Sequence, residues 1–235
     1  MGDNVTKLIF GTDGAMEKPI WREWLESLIV IALIAIVIRS FIVAPFKIPS
    51  SSMVPTLEVG DYLFVWRYNY GFRVPFTDLQ FLPKPAERGD VVVFDYPEDR
   101  SKDYIKRIVG LPGDEIRYDK NKLYVNGKEM PLRETGPRAY FLSSGDVDVS
   151  TVFEEDLMGV KHDVLRKNFS IRDGVWKVPE GKFMVLGDNR NNSRDSRFWG
   201  FVPQGYLVGK AAVVWWSWDH AKGEVRWNRL GHVIE

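Results

Sequence analysis

A run of Leu, Ile, Val and Ala without a polar residue occupies positions 28–38 and limits what the chain can fold into. A helix with no polar face must be surrounded by apolar groups on every side. Alone, the run is shorter than the roughly 20 residues that span a bilayer, so it is also compatible with a core helix or the apolar part of a signal peptide. Trp21 and Trp24 before it and residues 41–44 after it supply interfacial anchors and the missing length. We therefore predict one transmembrane helix over residues 25–44.

Charge and composition narrow the possible partners. Near the apolar run, Lys18 and Arg22 on one side are matched by Arg39 and Lys47 on the other, so the positive-inside rule does not orient the helix. Across the chain, 32 Lys and Arg balance 32 Asp and Glu, which does not favour a nucleic-acid partner. There is no cysteine, and the three histidines lack the spacing of metal ligands. We expect neither a metal site nor nucleic-acid binding.

After Pro45, short β-rich runs bounded by Gly, Pro or Asp replace the apolar pattern. Asn126-Gly127 is the strongest hairpin signal, because both central residues of a type I′ turn have positive φ. Strands of this length and spacing predict an all-β domain of sandwich or barrel kind. Residues 137–178 are polar and without a clear period, and are expected to be an inserted subdomain or long loop. The predicted strands cover residues 62–66, 91–94, 104–109, 122–125, 183–186 and 211–218.

Three segments of this body carry residues capable of chemistry. Residues 48–57 hold three consecutive serines between prolines, which alone is typical of a loop. Residues 103–114 place Lys106 on an alternating run, where a lysine normally points to water. Residues 187–203 are dense in charged and amide side chains, which alone indicates a solvated turn with surface ion pairs.

The apolar neighbours of Lys106 favour a different interpretation. Ile105, Ile108 and Val109 offer a setting in which a charged ammonium is disfavoured, and a desolvated lysine becomes a base. Because free lysine titrates near 10.4, a base for neutral pH needs a pKa lowered by about 3. Arginine does not lose its proton in proteins and is no substitute. A hydroxyl or amide from residues 187–203 can orient the amine.

In series behind an apolar anchor, these segments resemble type I signal peptidases. The resemblance extends from about Trp24 to Lys210 and includes a fourth segment, Arg-Gly-Asp-Val-Val-Val-Phe at 88–94. Each segment alone is weak, but the ordered set is specific. The other matching forms are Ser-Met-x-Pro-Thr-Leu at 52–57, Lys-Arg-x-Val-Gly-Leu-Pro-Gly-Asp at 106–114 and Gly-Asp-Asn-Arg-x-Asn-Ser-x-Asp-Ser-Arg at 187–197.

The resemblance implies a mainly β catalytic body of antiparallel sheets that is partly barrel-like, behind one N-terminal transmembrane helix. It also implies a role for each matching residue. Ser52 attacks the scissile carbonyl and neutral Lys106 takes its proton, without a metal or organic cofactor. Ser193 matches the hydroxyl that orients the lysine amine, and Ser50 matches the side chain that joins the Ser52 N–H in the oxyanion hole. A polar network is expected to hold the site together: Arg107, Asp188, Arg190, Asp195 and Arg197.

The resemblance also implies the substrate. The family cleaves signal peptides after small residues in an Ala-x-Ala pattern, so preproteins are expected to bind as extended strands beside the segments around Ile48 and Tyr104. Core packing is an equally good explanation for apolar residues near the dyad, because core and pocket wall overlap. The residues that match pocket positions are Phe46, Ile48, Pro49, Met53, Leu57, Tyr104 and Ile105.

The implied location is the bacterial plasma membrane, with the lipid bilayer as a second partner. Residues 1–24 are then a short cytoplasmic segment, residues 25–44 the single anchor, and residues 45–235 the extracytoplasmic catalytic domain. Trp215, Trp216 and Trp218 form an aromatic cluster, and contact of this cluster with the membrane is a further hypothesis.

Some features depart from the family pattern, and two alternatives stay open. Many Gram-negative members have two spanning helices and Gly at the position of Ser51, where serine is strained if φ is positive. Simpler Gram-positive members lack an excursion as long as residues 137–178, so the lineage is undecided. One alternative is another Ser/Lys protease, such as a self-cleaving repressor-like protein, although the apolar run argues against it. The other is an inert, membrane-anchored β module that binds peptides by strand addition.

Overall fold

The computed structural model describes residues 20–73, 80–82, 84–142 and 144–234, and within them helix α1 spans Ile20–Phe41. The window Trp24–Phe41 has a mean hydropathy of 2.1, long and apolar enough to cross a membrane. The predicted helix over 25–44 ends three residues early, because Val43–Lys47 forms a strand. Of the predicted segment over 1–24, residues 1–19 lie outside the described residues, and the rest belongs to α1.

The body is a separate compact unit that begins at Ser40. It is mainly β, as the sequence predicts, with one short helix, α2, at Ser196–Trp199. Its strands are β1 Val43–Lys47, β2 Asp61–Trp66, β3 Phe72–Arg73, β4 Gln80–Phe81, β5 Val91–Tyr96, β6 Asp99–Gly110, β7 Glu115–Asp119, β8 Lys122–Val125, β9 Lys128–Glu129, β10 Leu132–Phe141, β11 Val147–Leu157, β12 Val160–Arg166, β13 Gly174–Lys177, β14 Lys182–Leu186, β15 Val202–Pro203, β16 Leu207–Asp219 and β17 Glu224–Val225.

The largest sheet positions the site. Its order is β1-β2-β16-β5-β6-β14-β15, with β17 beside β16, and its pairs are antiparallel. Ile48 and Leu63 near its first edge share a buried core with Val93 and Ile105 from its centre, so the sheet curls around its apolar side chains. This curvature brings the segment after β1 towards β6.

A four-stranded sheet of order β13-β7-β8-β9 flanks this main sheet. Asn126 and Gly127 connect β8 to β9 with φ of 51° and 81°, so the predicted hairpin turn is confirmed. Lys120 and Asn121, with φ of 47° and 65°, form a similar turn between β7 and β8.

The region predicted as an insertion over 137–178 contains regular structure with different bounds. Strands β10, β11 and β12 form a three-stranded sheet from Leu132 to Arg166, and β13 belongs to the four-stranded sheet. Many side chains of β10 are exposed, so this strand lacks the apolar alternation that identifies a half-buried strand.

Candidate active site

Ser52 and Lys106 meet across the curled sheet. Ser52 lies in a one-turn 3₁₀-helix, Ser51–Met53, that follows β1, and Lys106 lies in β6. The Lys106 Nζ is 2.8 Å from the Ser52 Oγ. This is hydrogen-bonding distance, so a proton can pass directly between the two side chains.

The environment of Lys106 favours its neutral form. The residue is 4% exposed, and burial lowers the pKa of its amine to about 8, against a weaker opposite effect of Asp195 and Asp188. Its Nζ also lies 2.7 Å from the backbone oxygen of Ile105, and the described residues provide no ion pair for it. Since neutral oxygens compensate a buried charge poorly, the amine gives up its proton near neutral pH.

Ser50 and Ser51 lie on either side of the start of the 3₁₀-helix. The Ser50 Oγ is 3.3 Å from the Ser52 Oγ, close enough for one of the hydroxyls to donate to the other. Ser51 is buried, and it is not among the described residues with positive φ. The strain considered for a serine at this position is therefore absent.

A fully buried ion pair lies behind the dyad. Arg107 Nε and Nη2 donate to the two carboxylate oxygens of Asp188 at 3.0 and 2.9 Å, and Nη1 donates to the Gly89 oxygen at 2.8 Å. Thr56 Oγ1 donates to the same carboxylate at 2.5 Å. Burial raises the pKa of Asp188, but attraction to Arg107 and His162 and the hydrogen bonds from Arg107 and Thr56 together lower it below its usual value. The pair joins β6 to the loop after β14, and Thr56 ties the segment after Ser52 to the same carboxylate.

The loop after β14 holds Ser51 and Ser52 through hydrogen bonds to their backbone oxygens. The Asn189 N–H donates to the Ser52 oxygen at 3.1 Å, and the Asn189 side chain donates to the Ser51 oxygen at 3.1 Å. A Cβ on Gly187 would stand 2.5 Å from the Ser52 oxygen and 2.3 Å from the Ser193 Oγ. Glycine is therefore required here by close packing, and the loop and nucleophile are fixed to each other.

The rest of the predicted network fixes the loop itself. Arg197 Nε and Nη2 donate to the two Asp195 oxygens, both at 2.8 Å, and Nη2 also donates to the Arg190 oxygen. Asp195 accepts from the Gly187 N–H at 3.1 Å. Arg190 makes a bidentate pair with Glu155 at 2.7 and 2.6 Å.

A cleft of about 320 Å³ opens at the dyad and is here called the substrate cleft. One wall comes from β1 and the residues that follow it, and the other from β6. No described strand pairs with β1 on the side away from β2, or with Tyr104–Lys106 on the side away from β5. The lining residues are Phe46, Lys47, Ile48, Pro49, Ser50, Ser52, Val93, Asp103, Tyr104, Ile105, Lys106 and Arg194.

The sequence matches known proteins over most of its length. Residues 21–216 match the family model of signal peptidase, peptidase S26. The chain is 41% identical over 221 residues to a signal peptidase I of Pseudomonas fluorescens, covering 88% of this chain and 76% of the relative. The Rickettsia typhi signal peptidase I is 35% identical over 230 residues, covering 88% and 86%. The chain belongs to the signal peptidase family.

A solved signal peptidase I from Enterococcus faecalis also matches, with 29% identity and a TM-score of 0.36 over 54% of this chain and 97% of that one. The family model spans the anchor and both halves of the dyad. Membership therefore applies to the helix and the β body together.

Not every pocket residue expected for a signal peptidase lies in the cleft. Phe46, Ile48, Pro49, Tyr104 and Ile105 line it. The other two, Met53 and Leu57, are 0% exposed and pack in the core beneath it. Their apolar character alone does not distinguish these two locations.

The expected contact between Ser193 and Lys106 is not formed in this structure. The Ser193 hydroxyl is buried and packs beside Gly187, but it makes no hydrogen bond to Lys106 or to another described group. Its role in orienting the lysine remains a prediction.

Glu155 and His162 are buried parts of this network that the sequence does not reveal. Glu155 lies on β11 and His162 on β12, with the His162 Nε2 3.3 Å from a Glu155 oxygen. Attraction to Arg190 holds the pKa of Glu155 well below its usual range despite burial. The three-stranded sheet therefore supports the site through the pair of Glu155 with Arg190. In the sequence, Glu155 is only one carboxylate among the polar residues of its strand.

Proposed function

We propose that this chain removes N-terminal signal peptides from exported preproteins, with Ser52 as nucleophile and Lys106 as general base. Family membership and the similarity to signal peptidase I enzymes support a signal-peptide-removing serine endopeptidase. The residue assignment depends on one observation: a buried amine with a lowered pKa lies 2.8 Å from a serine hydroxyl at the head of a cleft.

The reaction starts with neutral Lys106. Its Nζ accepts the Oγ proton while Ser52 attacks the scissile carbonyl carbon. The oxyanion of the tetrahedral intermediate accepts hydrogen bonds from the Ser52 N–H and the Ser50 hydroxyl. The Lys106 ammonium then gives its proton to the leaving amine, which is the new N-terminus of the mature protein.

The second half releases the signal peptide. Lys106 takes a proton from a water molecule, and the resulting hydroxide attacks the ester carbon on Ser52. The bond between that carbon and the Ser52 Oγ then breaks as Lys106 gives the proton to the Oγ, and the signal peptide leaves with a carboxylic acid that ionises in water. One lysine thus serves as both base and acid, as histidine does in a Ser-His-Asp triad. Ser193 is proposed to accept from the Lys106 amine once the amine turns, because its buried hydroxyl has unused hydrogen-bonding capacity.

The predicted network is proposed to position the dyad without taking part in chemistry. Arg107 and Asp188 hold β6 against the nucleophile segment, and Asp195 with Arg197 holds the loop that carries Asn189. These are positioning residues, because none of them contacts the Ser52 hydroxyl.

The substrate is proposed to bind as an extended strand in the substrate cleft. The open sides of β1 and of Tyr104–Lys106 provide backbone groups for an added strand. The apolar walls at Phe46, Ile48 and Ile105 favour small side chains, in agreement with an Ala-x-Ala site.

Family membership and the apolar helix indicate that the chain is membrane-anchored. We propose that the membrane is the bacterial plasma membrane and that the body from residue 45 lies on its extracytoplasmic side. Signal peptides are held in the same bilayer, so the anchor raises their local concentration at the cleft.

A single assay tests this proposal. The full chain in detergent is mixed with a preprotein carrying an Ala-x-Ala site, and mass spectrometry identifies the new N-terminus. We expect cleavage after the second alanine, and none with Ser52→Ala. An uncleaved preprotein, or equal cleavage by Ser52→Ala, would overturn the proposal.

A further inference from the structure

A second depression, here called the basic groove, lies beside the dyad and has a volume of about 520 Å³. Arg172 and Arg194 line it, together with Asn191, Asn192 and Phe198, and no carboxylate does. Arg194 also lines the substrate cleft, so the two depressions meet at this residue. Of the residues that line this groove, the proposed mechanism assigns a role only to Ser193 and none to the two arginines.

The walls of the basic groove are fixed to the nucleophile segment. Asn192 Nδ2 donates to the Ser51 Oγ at 3.0 Å, next to the residue that attacks the substrate. On the other wall, the Asn191 Oδ1 accepts from the Lys167 N–H at 2.8 Å, and the Asn191 side chain donates to the Phe169 oxygen. The residues that line the groove therefore have a fixed position relative to Ser52.

Both arginines are accessible to a ligand. The Arg194 side chain is 68% exposed and pairs with Glu98 at 3.2 Å, and an exposed pair of this kind adds little stability and is easily exchanged. The Arg172 guanidinium lies 5.4 Å from the centre of the Phe198 ring. Stacking on a ring leaves the edge of a guanidinium available for a carboxylate.

A preprotein is one continuous chain, so it must extend from both sides of the bond that Ser52 attacks. If the signal peptide fills the substrate cleft, the residues after the scissile bond leave past Ser52, where the basic groove begins. Guanidinium groups bind carboxylates in a bidentate geometry that neutral side chains do not match.

We propose that the basic groove binds the first residues after the scissile bond and selects acidic side chains there. The proposal rests on the proposed function, because it extends the same substrate beyond the cleavage site. Arg172 and Arg194 are then specificity-determining residues on the product side of the reaction.

The test uses two peptides that share an Ala-x-Ala site and differ at the second and third residues after the scissile bond, Glu-Glu in one and Lys-Lys in the other. With the full chain in uncharged detergent at low salt, we expect a kcat/KM about tenfold higher for the acidic peptide, as exposed charge pairs supply. The preference should shrink as salt is added. In Arg172→Glu/Arg194→Glu, the ratio should invert.

Arg133→Glu is the matched control, because its side chain is equally exposed and lines neither depression. The control should keep the wild-type ratio. Equal kcat/KM for the two peptides, an unchanged ratio in the double variant, or the same inversion in the control would overturn the inference while leaving the proposed function intact. If neither peptide is cleaved, the proposed function fails first, and this inference fails with it.

Discussion

Lys106 and Arg107 are adjacent on β6 and both almost fully buried, yet they lie in opposite electrostatic environments. Successive side chains of a strand point to opposite faces, so Lys106 reaches Ser52 and Arg107 reaches Asp188. Among the described residues, Lys106 makes hydrogen bonds only to neutral oxygens. Arg107, in contrast, donates to both oxygens of the Asp188 carboxylate. One face therefore disfavours a charge and the other stabilises one.

The comparison shows how one strand supplies both reactivity and rigidity. A buried lysine without a carboxylate releases its proton, while a guanidinium keeps its charge and must be paired. The face of β6 that carries Lys106 therefore lowers the stability of the fold. The opposite face offsets part of this loss, because the Arg107–Asp188 pair fixes the strand. Substitutions on the Lys106 face should therefore mainly reduce activity, whereas substitutions on the Arg107 face should mainly reduce stability.

The largest effect is expected from making the charge at position 106 permanent. In Lys106→Arg, kcat/KM for a preprotein should fall at least about 1,000-fold, because the guanidinium does not accept the Ser52 proton. Cleavage is measured with purified protein whose circular dichroism confirms a folded body. Ser52→Ala should show the same loss, and near-normal turnover by either variant would exclude the dyad.

The next largest effect concerns the other face. Asp188→Asn leaves the Arg107 guanidinium buried without its carboxylate and should lower the free energy of unfolding by about 3–5 kcal/mol. Lys106→Met replaces a buried amine by an apolar side chain of similar shape and should not be destabilising. Urea unfolding of both variants in detergent measures the contrast. A Lys106→Met protein less stable than Asp188→Asn would contradict it.

The pH dependence sharpens the comparison further. Since the pKa of Lys106 is lowered to about 8, kcat/KM should rise about tenfold per pH unit below 8 and level off above it. Between pH 8 and the ordinary lysine pKa of 10.5, the unfolded chain binds the proton that the folded chain has lost. Stability relative to Lys106→Met should therefore rise with pH across this window. A flat rate profile from pH 6 to 9 would count against Lys106 as base.

The smallest effect is expected at Ser193. Ser193→Ala removes a buried hydroxyl that has no hydrogen-bond partner among the described residues, so the free energy of unfolding should not fall. If the hydroxyl orients the amine, kcat should nevertheless drop about tenfold, within the usual range for acid–base positioning. Steady-state kinetics with Ser196→Ala as a comparison test this, since the Ser196 hydroxyl accepts from the Val185 N–H and has a structural role. An unchanged kcat in Ser193→Ala would show that the Ser193 hydroxyl does not orient the Lys106 amine.

Local signals were sufficient for much of the fold. Asn126-Gly127 specifies its turn by backbone preference alone, and short β-rich runs between turn signals locate β5, β6 and β16. The three-stranded sheet over Leu132–Arg166 was missed because much of it is exposed and carries polar residues. A strand with little burial has no alternation to detect.

The site was predicted unevenly for a similar reason. Ser52 and Lys106 stand in specific segments, so their residues could be named before their distance was known. Glu155 became relevant only once folding paired it with Arg190, and nothing near either residue in the chain indicates that pairing. Met53 and Leu57 were expected in the substrate pockets but pack in the core. An apolar residue near Ser52 fits either location, so the sequence does not distinguish them.

The open sides of β1 and of Tyr104–Lys106 in β6 have a consequence for the design of inhibitors. A ligand that completes a sheet is recognised first through its amide groups, which every polypeptide shares, and only then through its small side chains. An enzyme that binds its substrates in the proposed way can therefore process many unrelated secreted proteins. A peptide mimic with alternate amides N-methylated would retain every side chain and still bind poorly, whereas a rigid extended backbone with reduced side chains would keep most of its affinity.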